Sequence, residues 1–145
     1  MGKSTRRDVL KTMLAAGAAT LLPSAGCGGV NGPHGDIPAG NVANVPVGSL
    51  QGVPGQAVIL GRDSSGLYAM TAICTHAGCD MENNGSINAQ GVFCSCHGSM
   101  FDAEGNVVQG PAQLPLQHFA VSVDTTGAIT IHASQDVSET QRTPV

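Results

Sequence analysis

The sequence of 145 residues has no tryptophan, one tyrosine and three phenylalanines, and charged residues make up only 11% of it. Basic residues are six in number, and four of them (Lys3, Arg6, Arg7 and Lys11) fall within the first eleven positions. From Gly28 onward there is no lysine, and two basic residues, Arg62 and Arg142, stand against nine acidic ones, a balance of −7. A grip on nucleic acid takes clustered Lys and Arg, usually with aromatic platforms for the bases, so nucleic acid is excluded as a partner. Long hydrophobic runs are missing as well. A membrane-spanning helix takes about 18 or more apolar residues, and the longest candidate, Met13 to Leu22, is too short and makes at most a strained anchor. The length suits one domain and excludes a large multidomain enzyme. Glycine (20) and proline (8) are above average without reaching the level of a non-folding chain, so a turn-rich globular domain is expected. Five cysteines, an odd number, leave the question of what each one does.

The first 27 residues read as an address. Arg6 and Arg7 precede the Ala- and Leu-rich stretch from Met13 to Leu22, which ends in small residues, Ser24-Ala25-Gly26. This is the order of an export signal, and the arginine pair with Leu10 and Lys11 behind it resembles the twin-arginine type. Cys27, after Ala25-Gly26 and before Gly28-Gly29, resembles the lipid-attachment site of a bacterial lipoprotein, although Ser24 stands where a leucine is usual. Three arrangements stay open at this point: a cleaved signal, a retained anchor, and lipid attachment at Cys27, the last two giving membrane association through the N-terminus. Twin-arginine export accepts folded proteins, which suits one loaded with a cofactor before export.

Residues 28–44 are rich in Gly, Pro, Asn and Ala and read as a flexible linker. His34, within it, reads as solvated. Beyond it, short runs of Val, Ile and aromatic residues predict strands near Gln56–Arg62, Leu67–Ile73, Gly91–Cys94, Asn106–Gln109, Phe119–Asp124 and Ala128–His132. Asp63-Ser64-Ser65-Gly66 and Asp124-Thr125-Thr126-Gly127 read as hairpin loops between such runs. No sustained helical period is present. The expected class is all-β, an antiparallel sandwich or barrel with long loops. His118 and His132 read as exposed strand histidines, and residues 135–145 as a polar C-terminal tail.

The remaining four cysteines and two of the histidines fall into two boxes, Cys74-Thr75-His76-Ala77-Gly78-Cys79 and Cys94-Ser95-Cys96-His97-Gly98-Ser99, fourteen residues apart. A zinc site, a pair of disulfides and an iron–sulfur cluster are the candidate readings. Zinc ribbons repeat comparable ligands at comparable spacing in both halves, whereas here one box is C-x-H-x2-C and the other C-x-C-H. A purely disulfide framework leaves both histidines without a role.

The boxes C-T-H-x-G-C and C-x-C-H-G-S resemble those of Rieske proteins of the high-potential, disulfide-containing class, over roughly residues 45–134. The resemblance implies an antiparallel β-fold with a small loop-built subdomain binding one [2Fe-2S] cluster. Cys74 and Cys94 would bind one iron, His76 and His97 the other, and Cys79 and Cys96 would form a disulfide joining the cluster loops. Gly78 and Gly98 would take positive φ and present amides to sulfur. Ser99 matches a position whose hydroxyl donates to a bridging sulfide, and Gly110-Pro111 a loop that covers the cluster. Phe101 stands where the highest-potential members carry a tyrosine donor. Two ferric ions, two sulfides and two thiolates sum to zero charge, so an added electron goes onto a neutral centre. This is why two histidines in place of thiolates raise the potential, to about −150 to +300 mV.

The function implied is an exported electron carrier, one redox station rather than a complete enzyme, passing single electrons from a quinol or partner oxidoreductase to a cytochrome-type acceptor. Two contexts fit: the iron–sulfur subunit of a quinol–cytochrome c reductase, and the small subunit of a molybdenum oxidase; the short apolar run and Phe101 weigh against the first. The alternatives are a Rieske ferredoxin of an oxygenase, against which Cys79, Cys96 and the export signal argue, and an exported zinc-binding structural domain. The location expected is the periplasm or the outer side of the cytoplasmic membrane.

Overall fold

Successive side chains of a strand point to opposite faces, so a strand apolar on both faces must have a core on each side. Val58-Ile59-Leu60 and Gly66 to Thr71 are such runs, and in the computed structural model, which describes residues 32–145, every one of these residues is buried. They belong to two adjacent strands, β3 (Val58–Asp63) and β4 (Gly66–Thr71), which form the wall between two cores. Ile59, Tyr68 and Met70 face one core with Met81, Val92, Phe101 and Leu116. Val58, Leu60, Leu67 and Ala69 face the other with Ile37, Val45, Phe119, Ile129 and Ile131. The remaining strands are β1 (Asp36–Asn41), β2 (Ser49–Val53), β5 (Gly85–Asn88), β6 (Gly91–Cys94), β7 (Met100–Phe101), β8 (Val107–Gln109), β9 (His118–Val123) and β10 (Ala128–Val137), with one 3-10 turn at Val42–Asn44. A six-stranded antiparallel sheet runs β1-β10-β9-β4-β3-β2, and a four-stranded one runs β5-β6-β7-β8. The described residues contain no α-helix, and none of their helices is long and apolar enough to cross a membrane.

Both expected hairpin loops close as read. The Asp63 carboxylate accepts from the amides of Ser65 and Gly66, and the Asp124 carboxylate from the amides of Thr126 and Ala128 and the Thr126 hydroxyl. These are the side-chain-to-backbone bonds that make Asp a turn former.

Three readings need correction. The stretch read as a linker to residue 44 contains β1, an edge strand on β10 with Asp36 opposite His132 and Ile37 opposite Ile131. Its proline is tolerated because an edge strand has unpaired backbone on one side, and burial of Ile37 fastens it. The tail likewise belongs to the body: β10 continues to Val137, Leu67 and Thr143 exchange both backbone hydrogen bonds, and Arg142 pairs with Asp63. Arg142 also lies 4.2 Å over the ring of Tyr68, whose hydroxyl donates to the carbonyl of Ala103 beyond β7, so the C-terminal segment ties the large sheet to the small one. Finally, His118 is 2% exposed rather than on the surface. Its Nδ1 lies 3.1 Å from the carbonyl of Leu116, and burial holds its pKa below the usual imidazole value. His132 is half-buried and joins three strands, with Nδ1 2.7 Å from Asp36 and Nε2 2.8 Å from Ser122.

Candidate metal centre

The two boxes fold into two loops of the same construction. In the first, the Cys74 amide donates to the carbonyl of Cys79 and the Gly78 amide to the carbonyl of Cys74. In the second, the Cys94 amide donates to the carbonyl of Ser99 and the Gly98 amide to the carbonyl of Cys94. Each turn closes on a glycine in the left-handed region, with φ of 73° at Gly78 and 83° at Gly98, where a side chain would be strained. The glycine amides are thereby spent on cysteine carbonyls, not on sulfur as the sequence suggested.

The loops sort their donors by depth. Cys74 and Cys94 are free thiols, buried in the core with Phe101 and Leu116. Burial, the largest effect, pushes the Cys94 thiol up, aided by the neighbouring Cys74 and opposed by the backbone amides of Cys96 and His97. His76 and His97 are exposed, their ring centroids 4.7 Å apart and their planes at 78°. Cys79 and Cys96 form a disulfide between the loops, with Cα atoms 6.6 Å apart. Their sulfurs and that of Cys94 lie within 4.8 Å of one another, but two of the three are spent on each other, so this trio is not a metal site. In the unfolded chain the bridge closes a loop with a sequence separation of 17, a constraint that stabilises by about 3 kcal/mol.

A third segment crosses both loops. Gly110-Pro111, joined by a cis peptide, leads to Ala112, whose amide donates to the Ser99 hydroxyl at 3.0 Å. Ser99 is fully buried and, having accepted there, keeps its own O–H to donate. The Thr75 hydroxyl donates to the carbonyl of Leu114 at 2.7 Å, and the Gln109 amide group to the carbonyl of Gly98 at 3.0 Å. Thr75, Gln109 and Leu114 were missed by sequence reasoning, since their contacts join positions up to 39 residues apart. Phe101 is 2% exposed in the same core.

Two inner thiols and two outer imidazoles on facing loops fit a cluster held through sulfur on one side and nitrogen on the other. Comparison with known proteins decides the family: residues 34–120 match the Rieske [2Fe-2S] domain. The chain belongs to the Rieske family. The Rieske domain binds a [2Fe-2S] cluster. The Rieske match begins ahead of β1, in keeping with that strand's place in the body. Residues 3–23 match the signal sequence of the twin-arginine translocation pathway, which indicates export across the cytoplasmic membrane. That segment, with Cys27, lies outside the described residues.

Curated relatives include the cytochrome b6-f complex iron-sulfur subunit of Synechococcus sp. (strain WH7803), 44% identical over 87 residues, 60% of this chain and 47% of the relative. The cytochrome b6-f complex iron-sulfur subunit 2 of a Synechocystis strain is 44% identical over 77 residues, 52% of this chain and 42% of the relative. This chain thus spans about half the length of the curated relatives it matches. Among solved structures, the plasma membrane Rieske protein of Synechocystis PCC 6803 is 27% identical with a TM-score of 0.52, over 67% of this chain and 99% of that one. A chain from the oxygenase–ferredoxin complex of carbazole 1,9a-dioxygenase, 21% identical with a TM-score of 0.52 over 71% of this chain and 96% of that one, shares the fold alone.

Proposed function

We propose that the protein is an exported single-electron carrier that holds its cluster through Cys74 and Cys94 on one iron and His76 and His97 on the other. The observation that carries this reading is the depth of the donors: buried thiols on one side, a pair of exposed imidazoles on the other. When bound, the cluster supplies a one-electron couple of about −150 to +300 mV. The chain's own residues do the rest. Burial of Cys74 and Cys94 keeps water from the thiolate side. His76 and His97 would hold the other iron through one ring nitrogen each and leave the second nitrogen at the surface, where it could carry a proton. Ser99, with its O–H unspent, would donate to the cluster and favour its reduced form. The disulfide and the segment from Gln109 to Leu114 hold the two loops in register.

The physiological context we propose is transfer from a quinol, or from a partner oxidoreductase, to a cytochrome complex. The naming of the curated relatives as cytochrome b6-f subunits supports this over the molybdenum oxidase context. We place the working domain on the outer side of the cytoplasmic membrane, held through its N-terminal segment or free beside the membrane.

Metal and sulfide analysis with electron paramagnetic resonance tests the reading. The expected result is two irons and two sulfides per chain, a signal present only after dithionite reduction, and nitrogen couplings lost in His76→Ala and His97→Ala. A protein that holds zinc and is spectroscopically silent would overturn it.

A further inference from the structure

The four-stranded sheet has a second face that no layer covers among the described residues. Val92, Cys94 and Phe101 point inward, whereas Phe93 and Met100, directly opposite each other on β6 and β7, are 38% and 40% exposed. Val108, at the register shift between β7 and β8, is 64% exposed beside them. Asp102 and Glu104 follow in the turn after β7 and give this apolar centre an acidic border. The described residues carry nine acidic side chains against two basic ones, and only Arg142, 3.8 Å from Glu104, touches that border. Arg62 donates to the carbonyls of Val42 and Val45, and Arg142 is paired with Asp63 over Tyr68. Apolar side chains adjoining one another on a surface mark an interaction site, and complementary charge selects and steers the partner. The face also touches the centre through the chain itself: Phe93 is bonded to Cys94, and Met100 to Ser99.

We propose that the Phe93–Met100–Val108 face is the docking site of a lysine-rich electron-transfer protein carrying an apolar patch among its lysines. It is a second electron port on the thiolate side, separate from the tip marked by His76, His97 and Leu114. The inference rests on the electron-carrier reading above. At this port the reduced protein gives one electron to a ferric haem, which becomes ferrous, and no bond is made or broken. The imidazoles lie at the tip, so a partner on this face leaves them open to solvent.

The test uses the full chain with its cluster and a lysine-rich c-type cytochrome as probe, with Kd from calorimetry and the reoxidation rate from stopped flow at low salt. In Phe93→Ser/Met100→Lys we expect binding and rate each to fall about five-fold or more, with Val108→Lys changing them in the same direction. Val47→Ser, at a 62% exposed position between the 3-10 turn and β2, should leave both within about two-fold. An unchanged resonance signal and potential in each variant shows that the centre and fold are intact. Native-like binding by the first two variants, or an equal loss in Val47→Ser, overturns the port while leaving the carrier reading standing. Absence of any reduced-state signal in the native chain overturns the carrier reading and the port with it.

Discussion

Replacing Arg142 by alanine removes the fastening of the C-terminal segment, and the cost can be worked from its contacts. The guanidinium is 11% exposed, donates through Nε to the Asp63 carboxylate, and sits 4.2 Å above the Tyr68 ring. A hydrogen bond to a charged group contributes about 1.5–3 kcal/mol, and Asp63, itself 36% exposed, puts this pair at the low end through solvent screening. The cation over the ring adds about 0.5–1 kcal/mol. The more distant Glu104, at 3.8 Å, adds little. The expected loss is therefore about 2–3 kcal/mol, which for a domain of this size lowers Tm by roughly 8–12 °C. Thermal unfolding of the cluster-loaded protein, followed by far-ultraviolet circular dichroism, measures it. Arg142→Lys keeps the charge without the planar fork, so it should recover less than half of the loss. The penalty should also fade in acid. Burial alone would raise the pKa of Asp63, but the hydrogen bond and charge of Arg142 with the amides of Ser65 and Gly66 bring it below the usual value. A carboxyl with a lowered folded pKa stabilises above its unfolded value of about 3.9 and loses that contribution as pH falls through the folded one. A Tm drop under about 2 °C for Arg142→Ala at neutral pH, or a penalty that grows in acid, would refute the reasoning.

Two further outcomes are expected. His118, held neutral by burial and facing the charges of Arg142, Glu139 and Glu104, resists a proton that the unfolded chain accepts below about pH 6.5. Stability should thus be complete above that value and fall beneath it, and urea midpoints at pH 5 and pH 7 should differ less in His118→Leu than in the native protein. Phe101→Tyr should raise the reduction potential by adding a donor beside the cluster; an unchanged or lowered value in protein-film voltammetry would count against a role for that position.

The two boxes were legible in the sequence because each ligand loop is a short local segment whose glycine and cysteines must sit close together in the chain. Strands β3, β4, β6, β8, β9 and β10 were legible too, as aliphatic runs bounded by Asp-x-x-Gly turns or other turn residues. β1, β2, β5 and β7 were not: β1 offers a proline and one large apolar residue, β2 is Ser-Leu-Gln-Gly-Val with a glycine inside it, β5 is Gly-Ser-Ile-Asn, and β7 has two residues. Their pairing comes from neighbours rather than from their own pattern. Alternation places His118 on one side of its strand but does not say what covers that side, which is why its burial escaped notice. The straps from Thr75 to Leu114 and from Arg142 to Asp63 join distant positions through polar side chains that look solvated until the fold brings them together.

The shared wall of β3 and β4 gives neighbouring positions different evolutionary masters. A change at Ile59, Tyr68 or Met70 is answered by the compartment that contains the thiols, and a change at Val58, Leu60, Leu67 or Ala69 by the opposite one. Substitution histories along these two strands should therefore split by parity, alternate residues drifting with unrelated partners although they are adjacent in the chain.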